Sequence, residues 1–442
     1  MKTKRVYVCR DCSGRYPMWH GQCPGCGAWN SLDEQAEQKR PGKAASSGAG
    51  VKPVRLGEFS TEGTGRFTTG MELMDEILGG GLTAGQAVLM AGEPGIGKST
   101  LLLQLAGLMS EYGETVYVSA EESMQQLAGR AERLGVAGKG LSAISTARAD
   151  EAVEILAGPE PPGLMILDSV QTMSLDGLDG LPGSVSQVRA VAAAVTERAK
   201  ASGTAVIFVG HVTKEGQIAG PKLLEHMVDT VLSLEGDRRQ VFRILRVLKN
   251  RFGPGQETMI FRMSGLGMEP VADPSEYFLD DRDAGVSGSA LVMAADGGRP
   301  FAVEIQALSS RTFLNIPRRT ALGFDTNRLH LLLAVMEKRL GVSFAQADIY
   351  AKIGGGLRLA DPGLDVGIAA AILSSFYDVA LPADAVFWGE VDLSGRIRPV
   401  AGREARMKQA KRLGCGNIFA PGDGKTCCRS LAELQKKLFG RG

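Results

Sequence analysis

Eight consecutive residues, Gly92-Glu93-Pro94-Gly95-Ile96-Gly97-Lys98-Ser99, restrict this chain more than any others. They read G-x-x-x-x-G-K-S, the phosphate-binding loop of nucleoside triphosphatases. Glycines in such a loop let backbone N–H groups turn onto phosphate oxygens where a side chain would obstruct. Lys98 then reaches the β and γ phosphates, and the Ser99 hydroxyl coordinates Mg²⁺. The flanks agree: QAVLMA (86–91) reads as a buried strand, and TLLLQLAGLM (100–109), opening at Thr100, reads as a helix. A strand–loop–helix sets the positive end of the helix dipole under the triphosphate. The expected ligands are ATP and Mg²⁺.

At 442 residues the chain is too long for one hydrophobic core. Its 44% apolar and 22% charged residues describe an ordinary globular composition. No apolar run is long enough to span a bilayer, and no apolar segment follows the basic start MKTKRVYVC, so a cytoplasmic protein without membrane attachment is expected. The net charge of +1 leaves nucleic-acid binding to local patches.

Residues 1–30 hold four of the seven cysteines, and 31–56 are polar, rich in Ala, Ser, Gly and Lys, and read as a flexible linker. Residues 57–270 alternate strand-like and helix-like segments, which implies a mostly parallel α/β sheet. Strands are expected at 115–119, 164–168 and 205–210, a helix at 185–201, and two later strands at 228–234 and 241–248. An acidic connector (271–285) leads to a second α/β unit, 286–442, with strands at 289–294 and 301–308 and helices at 328–340 and 365–376.

The spacing Cys9-x2-Cys12-x10-Cys23-x2-Cys26 carries two C-x-x-C knuckles. Each puts two thiolates on one tight turn, and together they complete a tetrahedral sulfur site suited to structural Zn²⁺. So short a module depends on its metal to fold. Over residues 1–56, ten Lys and Arg face four Asp and Glu, and Tyr7, Tyr16, Trp19 and Trp29 lie nearby, a composition that suits either DNA or a partner protein. Cys415, Cys427 and Cys428 read as buried thiols.

Around the phosphate loop, LMILD ends in Asp168, the Walker B pattern for holding Mg²⁺ through water. Glu121 and Glu122 follow the strand TVYVS. A carboxylate there can orient or deprotonate the attacking water, while its neighbour serves as a helix N-terminal acid. His211 ends another strand at the same sheet edge, as a phosphate sensor or a structural histidine. Lys249 and Arg251 lie in KNRFG, a basic turn able to complete a neighbouring subunit's nucleotide site or simply to face solvent.

The order of four-cysteine ribbon, GEPGIGKST, AEES, LDS, HVTKEG, KNRFG and a final α/β domain resembles the RadA (Sms) family of bacterial DNA repair proteins over essentially the whole chain. The resemblance implies a zinc ribbon, a RecA-like ATPase core related to the DnaB helicases, and a C-terminal domain like that of Lon protease. It implies a hexameric ring that binds single-stranded and branched DNA and drives branch migration of intermediates made by the RecA recombinase. By the same resemblance Lys98 and Ser99 hold the Walker A roles, Asp168 Walker B, Glu121 the catalytic glutamate, and Lys249 and Arg251 a trans-acting finger. Loops 176–187 and 214–222 correspond to DNA-binding loops, with Arg189, Lys214 and Lys222 as phosphate contacts. In the last domain, Asp365 and Glu404 stand where a Lon-type peptidase carries its Ser nucleophile and Lys base. Two carboxylates cannot run that acylation. The domain is therefore expected to scaffold assembly, with Arg311, Arg318, Arg319 and Arg328 as further cations for DNA. A DNA-dependent ATPase motor is the leading function. Its rivals are an ATP-regulated adaptor of recombination and, against the missing dyad, a peptidase.

Overall fold

The structure, a computed structural model, describes residues 5–10, 15–36, 65–137, 140–211, 223–236, 241–255, 257–275, 283, 285–297, 299–422 and 427–440. It divides into two compact units, Met1–Gly63 and Thr64–Gly442.

In the first unit, Arg5–Cys9 pairs antiparallel with both Arg15–Tyr16 and Leu32–Ala36. The last of these strands lies beyond residue 30, so the ribbon takes in the first residues of the expected linker. Residues 37–56 of that linker lie outside the described residues. Cys9, Cys23 and Leu32 form a small core with Tyr7 and Tyr16 against it.

In the second unit the described residues build a nine-stranded sheet. From one edge its strands are Gly267–Val271, Thr258–Ser264, Phe242–Asn250, Thr230–Glu235, Ala87–Gly92, Ala205–His211, Leu164–Asp168, Thr115–Ser119 and Leu141–Ser145. The last six are mutually parallel, and the first three extend the sheet antiparallel. The central parallel strands are short apolar runs because helices cover both faces. Lys98–Met109 packs on one face through Leu101, Leu102 and Leu105. Val185–Ser202 packs on the other through Val188, Val191 and Val195. Ser184 and Gly203 cap that second helix, the glycine at φ 77°.

A six-stranded mixed sheet follows, in the order Arg319–Leu322, Ala347–Ile353, Arg299–Arg311, Ser289–Asp296, Ala385–Phe387 and Asn417–Phe419. Thr326–Leu340, Asp365–Tyr377 and Leu431–Phe439 cover one face, and Arg403–Arg412 packs on the other. The two sheets are not separated by solvent. Phe242, Ile244 and Ile260 of the antiparallel extension are buried in the same cluster as Val292, Leu329 and Leu364. Arg246 also donates to the Arg358 carbonyl at 2.9 Å.

Candidate nucleotide and zinc sites

The parallel sheet places its chemistry along one edge, where its strands end. Gly92 closes the central strand, and the loop turns through Gly95 at φ 74° and Gly97 at φ 116° into the helix Lys98–Met109. Those angles favour glycine, and a Cβ on Gly97 would lie 2.2 Å from the Met268 methyl, which would have to move aside. Glu93, Pro94 and Gly95 form the exposed outer arc, whereas Ile96 is buried. The Lys98 ammonium, 4% exposed, donates to the carbonyls of Gly92 (2.8 Å) and Glu93 (3.0 Å) and lies 3.2 Å from His211 Nδ1. Ser99 and Thr100 follow in the first helical turn.

The flanking strands bring Asp168 and Glu121 to the same edge, since Ser119 pairs with Asp168. Asp168 is buried and accepts the Tyr117 hydroxyl at 2.6 Å. Burial and the Asp168 charge push the Tyr117 phenol well above its usual range, so it stays a donor at all working pH values. Glu121 accepts from the Ser169 hydroxyl at 2.6 Å and lies 3.2 Å from His211 Nε2. Burial pushes its pKa up, yet the Ser169 and His211 hydrogen bonds and the His211 and Lys98 charges outweigh it, and the carboxyl stays below its ordinary value. Glu122 points elsewhere and pairs with Arg130. Its neighbour Ser123 supplies the capping box of the next helix. Gln171 ties the loop after Asp168 to the strand end: its amide oxygen accepts from His211 N–H at 3.1 Å.

Lys98, Glu121, Asp168 and His211 therefore converge. Gly92–Thr100 can hold the triphosphate, Ser99 and Asp168 the Mg²⁺, and Glu121 a water molecule. Lys249 and Arg251 do not join them. Thr230 pairs with both Val88 and Asn250, so KNRFG lies at the edge where the central strand begins. That edge is four residues from Gly92, about 13 Å along a strand. There the Lys249 ammonium donates to the carbonyls of Glu225 (2.7 Å) and Val228 (2.6 Å), and Arg251 pairs with Asp229 at 3.2 Å. Burial and the Arg251 charge lower the Lys249 value. Arg189 is exposed one turn into the helix after loop 176–184, while Lys214 and Lys222 lie outside the described residues.

Tyr117, Ser169 and Gln171 were not singled out by sequence. Alternation in TVYVS could have pointed to Tyr117, because it places Tyr117 on the same side of its strand as Ser119. Nothing in the sequence marks Gln171.

In the ribbon, the sulfurs of Cys9, Cys23 and Cys26 lie within 4.8 Å of one another, and Cys9 and Cys26 are 3.7 Å apart. Thiolates on a tetrahedral zinc at about 2.3 Å stand about 3.8 Å apart, so the donor set fits. Cys12 lies outside the described residues. His20 is exposed and stands edge-on to Tyr16.

In the last domain the buried Asp365 is held by Arg328, whose Nε donates at 2.7 Å and whose Nη2 makes a second bond, and by Val391 N–H at 2.8 Å. Arg328 also pairs with Glu390, so its charge is engaged within the protein. Arg319 donates to the carbonyls of Phe344 and Ala347, and burial lowers its value. Arg311 lies over the Phe313 ring at 5.2 Å. Glu404 is exposed on its helix.

A family model described as KaiC, an ATPase, matches residues 67–154, and one described as a rubredoxin metal binding domain matches 7–34. The chain is 44% identical over 425 residues to the DNA repair protein RadA of Halalkalibacterium halodurans, covering 95% of this chain and 93% of that protein. It is 44% identical over 427 residues to RadA of Bacillus subtilis, covering 95% and 93%, and 41% over 427 residues to RadA of Escherichia coli, covering 95% and 92%. The chain belongs to the RadA family. As a RadA-family protein it is a DNA repair ATPase with a zinc ribbon, a RecA-type core and a C-terminal α/β region, and its cofactors are ATP, Mg²⁺ and Zn²⁺. No helix among the described residues is long and apolar enough to cross a membrane.

Proposed function

We propose that this protein is a DNA-dependent ATPase motor of recombinational repair, working in the cytoplasm as a hexameric ring. It binds single-stranded and branched DNA and moves branch points in intermediates made by RecA. Lys98, Ser99, Asp168 and Glu121 act on the nucleotide within one subunit, and Lys249 and Arg251 complete the site of the next. Arg189, Lys214 and Lys222 contact DNA phosphates. The observation that carries the reading is the separation of the basic turn from its own phosphate loop: Asn250 pairs with Thr230, which pairs with Val88 near the start of the strand that ends at Gly92. A finger at that edge can reach a triphosphate only across a subunit boundary.

The C-terminal domain acts as a scaffold without peptidase activity. Support comes from Asp365, a buried carboxylate clamped by Arg328 where a nucleophile would have to be free. Turnover measured with and without single-stranded DNA on a size-defined assembly tests the motor. DNA-stimulated hydrolysis by a multimer is expected. A protein that stays monomeric with every nucleotide and whose turnover ignores DNA would overturn it.

A further inference from the structure

The sequence motifs account for the phosphate loop but not for what lies beneath it. That surface is covered by the antiparallel extension. Arg243, in the strand Phe242–Asn250, is 3% exposed, and its Nε donates to the Ile96 carbonyl at 3.2 Å. Its Nη1 donates to the Phe242 carbonyl at 2.9 Å. Met263 and Met268 close on the Gly97 side of the same loop, and Gln104 of the loop's helix accepts from Met268 N–H at 2.9 Å.

The Ile96 carbonyl and the Gly97 N–H belong to one planar trans peptide, so they point in opposite directions. Holding the carbonyl onto Arg243 therefore aims the Gly97 N–H away from Arg243. Arg243 itself cannot swing. Its neighbours Phe242 and Ile244, 2% exposed each, face the other side of the strand and are buried in the C-terminal core. An always-charged, planar donor on a strand gripped from both faces is a rigid support for one peptide.

We propose that Arg243 is a positioning residue for nucleotide binding, which fixes the Ile96–Gly97 peptide so that its N–H is already directed at the phosphates. The proposal rests on the phosphate loop being a nucleotide site. It assigns Arg243 no contact with the nucleotide, only an action through the loop.

The test is titration of the full-length protein with a fluorescent ADP analogue and Mg²⁺, together with amide hydrogen exchange of the nucleotide-free protein. R243M should bind about tenfold more weakly, the scale of a lost hydrogen bond from a charged donor. Exchange across 92–99 should quicken while the core helix Asp365–Tyr377 keeps its protection. R243K keeps the charge but loses the Nε donor and should bind about threefold more weakly. This variant carries the test if R243M does not fold. Wild-type affinity in R243M, or in R243K where R243M does not fold, overturns the proposal. So does a loss of affinity that only tracks a global loss of protection. Wild-type protein that binds no nucleotide would instead overturn the ATPase reading.

Discussion

Two adjacent glutamates show how single side chains acquire separate duties. Glu121 faces Lys98 and His211, while Glu122 is drawn off by Arg130. A carboxylate held below its ordinary value is ionised throughout the working range and ready to take a proton from water. Glu121→Gln keeps the shape and removes the proposed base. Its kcat should fall about 100-fold or more with nucleotide affinity little changed, as single-turnover hydrolysis beside equilibrium binding would show. The Ser169 hydrogen bond is the largest influence lowering the Glu121 value, and burial acts against it. In Ser169→Ala burial gains weight and the value rises. The acid limb of the kcat profile should then move to higher pH, because the carboxyl protonates sooner as pH falls. An unmoved limb would assign the base role to another group. Tyr117 acts one step back: its hydroxyl keeps the buried Asp168 carboxylate in a single orientation.

At the scale of elements, legibility followed length and burial. The parallel strands at 115–119, 164–168 and 205–211 are apolar runs bounded by turn residues, and they lie where their sequence places them. Leu141–Ser145 alternates weakly because it is an edge strand partly buried on both faces, and Ala385–Phe387 is too short to carry a period. The extension hid its role for a different reason. In Phe242–Asn250, residues 243, 245 and 247 face the phosphate-loop side, whereas 242, 244 and 246 face the C-terminal domain. A strand buried on both faces shows no polar side, and sequence alone does not say that a second domain covers it. The ribbon rests on its metal. Cys9→Ser should release zinc and unfold Arg5–Cys9 from its partners, measured by metal content and ribbon amide exchange; retained zinc would argue against Cys9 as a ligand. The Arg328–Asp365 pair is a different kind of element support. Asp365→Ala would leave a two-thirds-buried guanidinium with only the half-exposed Glu390 as partner, and with solvent screening the loss should be about 2 kcal/mol in urea unfolding. Replacing both partners by Leu and Met should cost less than the single change, because the one charge left without its partner, Glu390, is half-exposed to solvent.

For the whole molecule, the decisive geometry is that one chain presents its phosphate loop and its basic turn at opposite ends of the same strands. The P-loop and Walker B residues were legible because each motif sits on one strand or loop. That Lys249 and Arg251 are remote from them was not, because it depends on strand order and direction. The central strand runs parallel to Thr230–Glu235, and the chain then reverses into Phe242–Asn250, which returns KNRFG to the starting edge. In the proposed ring of like-oriented subunits, that edge of one protomer would meet the loop edge of the next, and each active site would then have two owners. Lys98→Ala removes the cation from a subunit's own site but leaves its Arg251 intact. Arg251→Ala does the reverse. Each variant alone should form inactive assemblies. In a random mixture a site works when an Arg251→Ala subunit, with its intact loop, receives the finger of a Lys98→Ala neighbour, so equal mixing should restore about a quarter of the sites. Turnover measured against mixing ratio should rise from both ends to a maximum at equal parts. A flat, inactive line would mean that Arg251 works within its own subunit, and turnover by Arg251→Ala alone that it does not act on the nucleotide at all. Either result would require the basic turn to move some 13 Å along the sheet, or to serve DNA or assembly alone.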